Sequence, residues 1–213
     1  VKDKKNHLGL NIDSLFVSGR LPADTVAVAV DRFDMQEKEE SMDFTASAKA
    51  FLGMNEYGRL IVPMSMSGSV SFPESGLDHF LLNNMNMKAA CVEMTGNADI
   101  RALGDSTYIR AEAAVNDCSV NELIRFCGKN FFPAALDLTT DAKISFTALC
   151  DGYYNSKRGT LPELVAEFVL PKSYIRYPGV PEGHAEIDIN AVTDSIGKLD
   201  ISFDDMCLNF GGI

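Results

Sequence analysis

The residues able to do chemistry are few and badly spaced for it. The three histidines are His7, His79 and His184, and none stands at a metal-ligand spacing such as HExxH to a Cys, Asp or Glu. The five cysteines, Cys91, Cys118, Cys127, Cys150 and Cys207, are odd in number and include no CxxC pair. That argues against a disulfide framework and against a zinc site, and reads them as buried small hydrophobes. The serines from Ser65 to Ser71 form the polar side of an alternating run, with no GxSxG turn around them. No glycine-rich loop leads into Lys-Ser or Lys-Thr. Asp204-Asp205 is a carboxylate pair of the type used for acid–base work or calcium, but adjacent solvated residues at a bulge account for it better. The expectation is therefore no catalytic residue, no metal and no cofactor. Six methionines, Met64, Met66, Met85, Met87, Met94 and Met206, all fall on apolar sides of their runs. They read either as core or as an adaptable lining for flexible acyl chains, because Met is unbranched and polarisable.

The elements that place these residues are strands. Leu60, Val62, Met64, Met66, Val70 and Phe72 alternate with Ile61, Pro63, Ser65, Ser67, Ser69 and Ser71, and Phe44, Ala46, Ala48, Ala50 and Leu52 with Asp43, Thr45, Ser47 and Lys49. Further runs carry Leu138, Ala142, Ile144, Phe146 and Ala148, then Leu164, Ala166, Phe168 and Leu170, then Ala185, Ile187, Ile189 and Ala191. Period two with one wet face is the signature of antiparallel strands. Turn signals at 53–58, 104–105, 178–183 and 194–197, with a charged tip at 36–40, make the connections short and predict a meander. One segment has a helical stripe: Ser119, then Val120, Leu123, Ile124 and Cys127. Ser119 with Glu122 forms a capping box and Gly128 closes the far end.

Three segments repeat a spacing with a single step of three. They are Leu10-Ile12-Leu15-Val17-Gly19, Met85-Met87-Ala90-Val92-Met94-Gly96 and Ile201-Phe203-Met206-Leu208-Phe210-Gly212. The step falls over Asp13-Ser14, Lys88-Ala89 and Asp204-Asp205, where a β-bulge would return the apolar set to the same face. The fold class expected is mainly β with one short helix: a curled antiparallel sheet, or a β-groove or sandwich, built from internal repeats. It is read as one elongated domain over 1–213, with subrepeats at 8–75, 80–155 and 160–213. One short helix cannot cover the apolar faces of about ten strands. Either two faces close on each other or a curled sheet leaves a groove.

The chain has 213 residues, 46% hydrophobic and 23% charged, ordinary for a folded protein. Its net charge of −11 repels phosphate backbones and anionic headgroups, so nucleic acid is not an expected partner. No window is apolar enough for a membrane helix. The first residue is Val1, and the chain is expected to be a piece of a longer protein. Lys2, Lys4 and Lys5 read as a solvated end.

Residues 161–212 resemble the C-terminal pattern of the AsmA-like family. There a Pro-led strand is followed by a hairpin ending in Tyr177-Pro178-Gly179 and by two strands ending in Phe210-Gly211-Gly212. Residues 82–132 are similar too, with a strand pair, a short helix and a Phe-Phe-Pro exit. The resemblance covers about two thirds of the chain and is weakest in the N-terminal third. It implies a periplasmic protein whose parent chain is anchored in the inner membrane by an N-terminal helix not present here. It also implies a role in outer-membrane biogenesis or phospholipid transport through an apolar β-groove, with phospholipid or fatty acyl chains, and other envelope proteins, as partners. The faces given by period two make the lining Val62, Met64, Met85, Met87, Ile144, Phe146, Phe168, Ile187 and Phe203. Two other readings stay open: a structural or interaction scaffold with a closed, dry core, and an outer-membrane β-barrel. The absence of tryptophan and the capped helix speak against the barrel.

Overall fold

The computed structural model describes residues 9–20, 24–38, 41–54, 58–73, 78–128 and 133–211. His7, the lysines at 2, 4 and 5, parts of the 36–40 and 53–58 turns, the Phe-Phe of the 131–133 exit and Gly212 lie outside them. The strands are β1 (Gly9–Ile12), β2 (Leu15–Arg20), β3 (Asp24–Glu37), β4 (Met42–Met54), β5 (Gly58–Ser71), β6 (His79–Ala89), β7 (Val92–Leu103) and β8 (Ser106–Ser119). After the helix α1 (Val120–Gly128) and a 3-10 turn (Pro133–Asp137) come β9 (Thr139–Thr140), β10 (Lys143–Tyr154), β11 (Glu163–Arg176), β12 (Gly183–Thr193) and β13 (Leu199–Phe210).

All thirteen strands join one antiparallel sheet in the order β1-β3-β4-β5-β6-β7-β8-β10-β11-β12-β13, with β2 beside β3 and β9 beside β11. It is the meander that the short turns predict. The sheet is not closed: its two ends remain separate edges.

Bulges recur through the sheet. The register slips at Asp31 in β3, at Asn83-Asn84 in β6, before Cys118 in β8, at Pro171-Lys172 in β11 and at Asp204 in β13. Asn84 and Asp117 take left-handed φ values of 51° and 52°. Each bulge bends its strand and raises the local twist, which coils a sheet of long strands instead of leaving it flat.

The step of three has three different structural meanings. At Asp204-Asp205 it is a bulge: Ile187 pairs Met206 and Ile189 pairs Phe203, so both apolar residues share a face. At Asp13-Ser14 it is the break between β1 and β2, with Ser14 at φ 72°. At Lys88-Ala89 the bulge expectation fails. Ala89 pairs Val92 across a two-residue hairpin loop in which Ala90 takes φ 54°. A two-residue loop and a bulge produce the same apolar spacing, so the middle segment is a hairpin rather than a third copy of the unit.

The helix forms where its stripe and cap predict. Ser119 Oγ accepts from the Glu122 amide at 3.4 Å, satisfying one orphan N–H of the first turn. The helix packs on the 3-10 turn, with Leu136 against Gly128. Leu138, taken as the start of a strand run, lies before β9, and Ala142 lies between β9 and β10.

Candidate functional site: one uncovered apolar face

Opposed residues of an antiparallel pair share a face. Followed through the register, one row crosses the whole sheet without a polar member: Ile12, Phe33, Ala46, Met66, Met87, Met94, Val115, Phe146, Phe168, Ile189 and Phe203. Ten strand spacings make the row about 48 Å long. The next row on the opposite face is polar except for one alanine. It runs Asn11, Asp34, Thr45, Ser67, Asn86, Thr95, Ala114, Thr147, Glu167, Asn190 and Ser202. The period-two pattern of the sequence has become two chemically distinct sides of one sheet.

All nine residues assigned to the lining fall on the apolar side. Met87, Phe146, Phe168 and Phe203 are members of the edge-to-edge row. Met64 opposes Ala48 and Ala89, Val62 opposes Ala50, Met85 opposes Gly96, Ile144 opposes Cys118, and Ile187 joins Leu170 to Met206. Gly96 is needed here. A Cβ on it would lie 2.6 Å from the Glu112 carbonyl oxygen and 3.2 Å from the Met85 methyl, so Met85 lies over it.

This face is not sealed. Its buried apolar residues are scattered, such as Phe44, Leu60 and Ala185, and no described side chain is covered to below 2% exposure. Phe146 keeps 38% of its surface exposed and Phe203 62%. The chain exposes 14544 Å² in all, against about 9,700 Å² for a compact protein of its mass. A dry two-layer sandwich would cover the Phe and Met side chains that here are only part-covered by their cross-strand neighbours.

A recess of about 700 Å³ lies on the other side of the sheet, lined by Asn86, Thr95, Asn97, Glu112, Thr147 and Glu167. Met85 is the one lining residue that also borders it. Asn97 Nδ2 donates to Glu112 at 2.8 Å across its wall.

A polar network that the sequence did not disclose sits at one end of the polar face. Asp99 accepts from Arg101 at 2.6 and 3.0 Å and lies 3.0 Å from His79 Nε2. The hydrogen bond from Arg101, its largest influence, holds the Asp99 carboxyl below the usual carboxylate range. Tyr108 lies under the Arg101 guanidinium and donates to Asp151 at 2.9 Å, which raises the Tyr108 pKa. His79 and Asp99 are 20 residues apart and Tyr108 and Asp151 are 43, and only the strand register brings these two pairs together. Among the described residues the arrangement cross-links strands β6, β7, β8 and β10.

The remaining candidates separate as follows. His184 is exposed and meets Tyr174 edge-on at 6.2 Å. The cysteines are all free thiols; Cys118 is buried, Cys91, Cys127 and Cys150 are half-buried, and Cys207 is exposed, against the expectation that all were interior. Burial raises the pKa of Cys118, Cys127 and Cys150. Among the described residues no three His, Cys, Asp or Glu side chains are grouped to hold a metal ion, and no helix is long and apolar enough to cross a membrane. Comparison with known proteins finds no family model, no curated protein and no solved structure that matches the chain.

Proposed function

We propose that this chain is a non-enzymatic, lipid-handling segment of a cell-envelope protein, which carries phospholipid or fatty acyl chains on its apolar sheet face. The observation behind the reading is the row from Ile12 to Phe203, apolar at each of the eleven strands it crosses and covered only in part, with Ile12, Phe146 and Phe203 exposed and the rest half-buried. A contiguous exposed apolar surface of this extent needs a covering partner. Acyl chains fit it: each buried CH₂ contributes about 0.8 kcal/mol, so a dozen methylenes bind without any headgroup contact. The methionines along the row, Met66, Met87 and Met94, adapt to chains of differing shape. The resemblance to the AsmA-like family supports the same reading and adds the periplasm as its setting and outer-membrane biogenesis as its process.

The test is binding of a fluorescent fatty acid or phospholipid to the purified chain. Met87→Asp and Phe146→Asp are expected to abolish it, with folding checked by circular dichroism, and Glu163→Gln to leave it intact. Affinity should vary little with headgroup or salt. Absence of binding in the folded wild-type chain overturns the proposal.

A further inference from the structure

The recess on the polar side of the sheet is built from side chains that the lipid reading does not use. Its floor is a row of opposed residues, one from each of six neighbouring strands: Asn86, Thr95, Ala114, Thr147, Glu167 and Asn190. Five strand spacings give it a length of about 24 Å. The dip has a simple origin. Ala114 stands between Thr95 and Thr147 and ends at Cβ, so the middle of the row is lower than its flanks. A second row, two residues along each strand, adds Asn97, Glu112, Leu149 and Val165. At the β6 end the bulge carries Asn84 to the wall, where its backbone amide donates to Asn97 Oδ1 at 2.8 Å.

The lining selects by charge. Its polar side chains are amides, hydroxyls and the carboxylates of Glu112 and Glu167, and among the described residues no Lys, Arg or His borders it. Arg110, two residues along β8 from Glu112, is paired with Asp151 at 3.8 Å. Two carboxylates in the recess and a net charge of −11 repel phosphates, sulfates and carboxylates.

The lining also selects by hydrogen bonding. Asn amides and Thr hydroxyls both donate and accept, and each carboxylate accepts several bonds. Asn86, Thr95 and Thr147 are exposed, so these groups are open to a ligand. Leu149 and Val165, also exposed, set an apolar strip among them. A ligand with hydroxyls on its edges and C–H groups on its ring faces meets both demands. Farther along the same side of β10, Asp151 and exposed Tyr153 border a second recess of about 530 Å³, where the ring offers a surface for stacking.

We infer that the polar recess is a second ligand site, which binds an uncharged oligosaccharide lying across the strands from Asn86 to Asn190. An extended peptide is the poorer occupant, because it binds by adding to a strand edge and the recess lies on a sheet face. A polyamine would use the two carboxylates and leave the amides and hydroxyls without partners. Binding here is independent of the lipid reading: of the residues assigned to the lipid lining, Met85 alone borders the recess.

The test is titration of the isotope-labelled 213-residue chain with maltohexaose, cellohexaose and N-acetylated chitohexaose, followed by NMR. Hexagalacturonate and spermine serve as the anionic and cationic controls. At least one neutral hexasaccharide, at up to about 10 mM, should shift the side-chain amides of Asn86, Asn97 and Asn190 and the backbone amides of Thr95 and Thr147. Thr95→Val and Thr147→Val, which keep the shape and remove the hydroxyl, should each weaken that sugar roughly fivefold. Ala114→Arg, which fills the dip, should weaken it tenfold or more; if circular dichroism shows that variant misfolded, the two valine variants decide. No shift at these residues with any neutral sugar, an equal response to hexagalacturonate, or a response to spermine alone overturns the inference. So does a sugar whose affinity the valine variants leave unchanged.

Discussion

Truncating two phenylalanines of the same row, Phe146 and Phe203, measures how far the apolar face is covered. Phe146 sits mid-sheet between Val115 and Phe168 and is 38% exposed, whereas Phe203 lies on edge strand β13 and is 62% exposed. For a side chain of about 200 Å², that leaves roughly 120 Å² covered at Phe146 and roughly 75 Å² at Phe203. At about 25 cal/mol per Å² the losses are ~3 and ~2 kcal/mol, trimmed by roughly 10–40% for residual burial in the unfolded chain. Phe146→Ala is expected to cost about 2–3 kcal/mol and Phe203→Ala about 1–1.5 kcal/mol. Urea denaturation of the lipid-free chain reads both as shifts in midpoint at constant slope. A closed core would charge both positions about 3–5 kcal/mol. Equal losses in that range would refute the open face, because Phe203 would then have to be covered by something.

Three further outcomes follow from the same geometry. Ser119→Ala should cost about 1 kcal/mol of stability in thermal or urea melts, through loss of the bond to the Glu122 amide. Asp99 binds its proton more weakly folded than unfolded, so its contribution is present above the ordinary carboxylate pKa of about 4 and is lost as pH falls below that; Asp99→Asn should lower stability at pH 7 by up to about 1 kcal/mol and flatten the acid limb of the stability curve. Maleimide labelling of the native chain should modify exposed Cys207 first and buried Cys118 last, read by peptide mass mapping.

Period two carried most of the architecture. Because register pairs like with like, Val62, Met87, Phe146 and Phe203 could be placed on one side before any strand was paired. The cap at Ser119 was equally legible, being a local signal. What the sequence hid is what depends on long-range pairing. The Tyr108–Asp151 and His79–Asp99 partners are set by register across strands. The bulge before Cys118 rests on Asp117 taking a left-handed φ, which its residue type permits but does not announce. The Lys88-Ala89 step misled because a tight hairpin and a bulge shift the apolar phase alike. The curl could not tell which side is recessed, and the recess at Thr95, Glu112 and Thr147 is on the polar side.

The central claim is that one face, from Ile12 to Phe203, is open and receives acyl chains. The most direct measurement is photo-crosslinking with a diazirine fatty acid, with the adducts mapped by mass spectrometry. Adducts are expected on Met66, Met87, Phe146, Phe168 and Phe203, spread over strands from β5 to β13. Adducts confined to the polar side, at Thr95, Thr147 or Glu167, or none above a non-binding control protein, would contradict it.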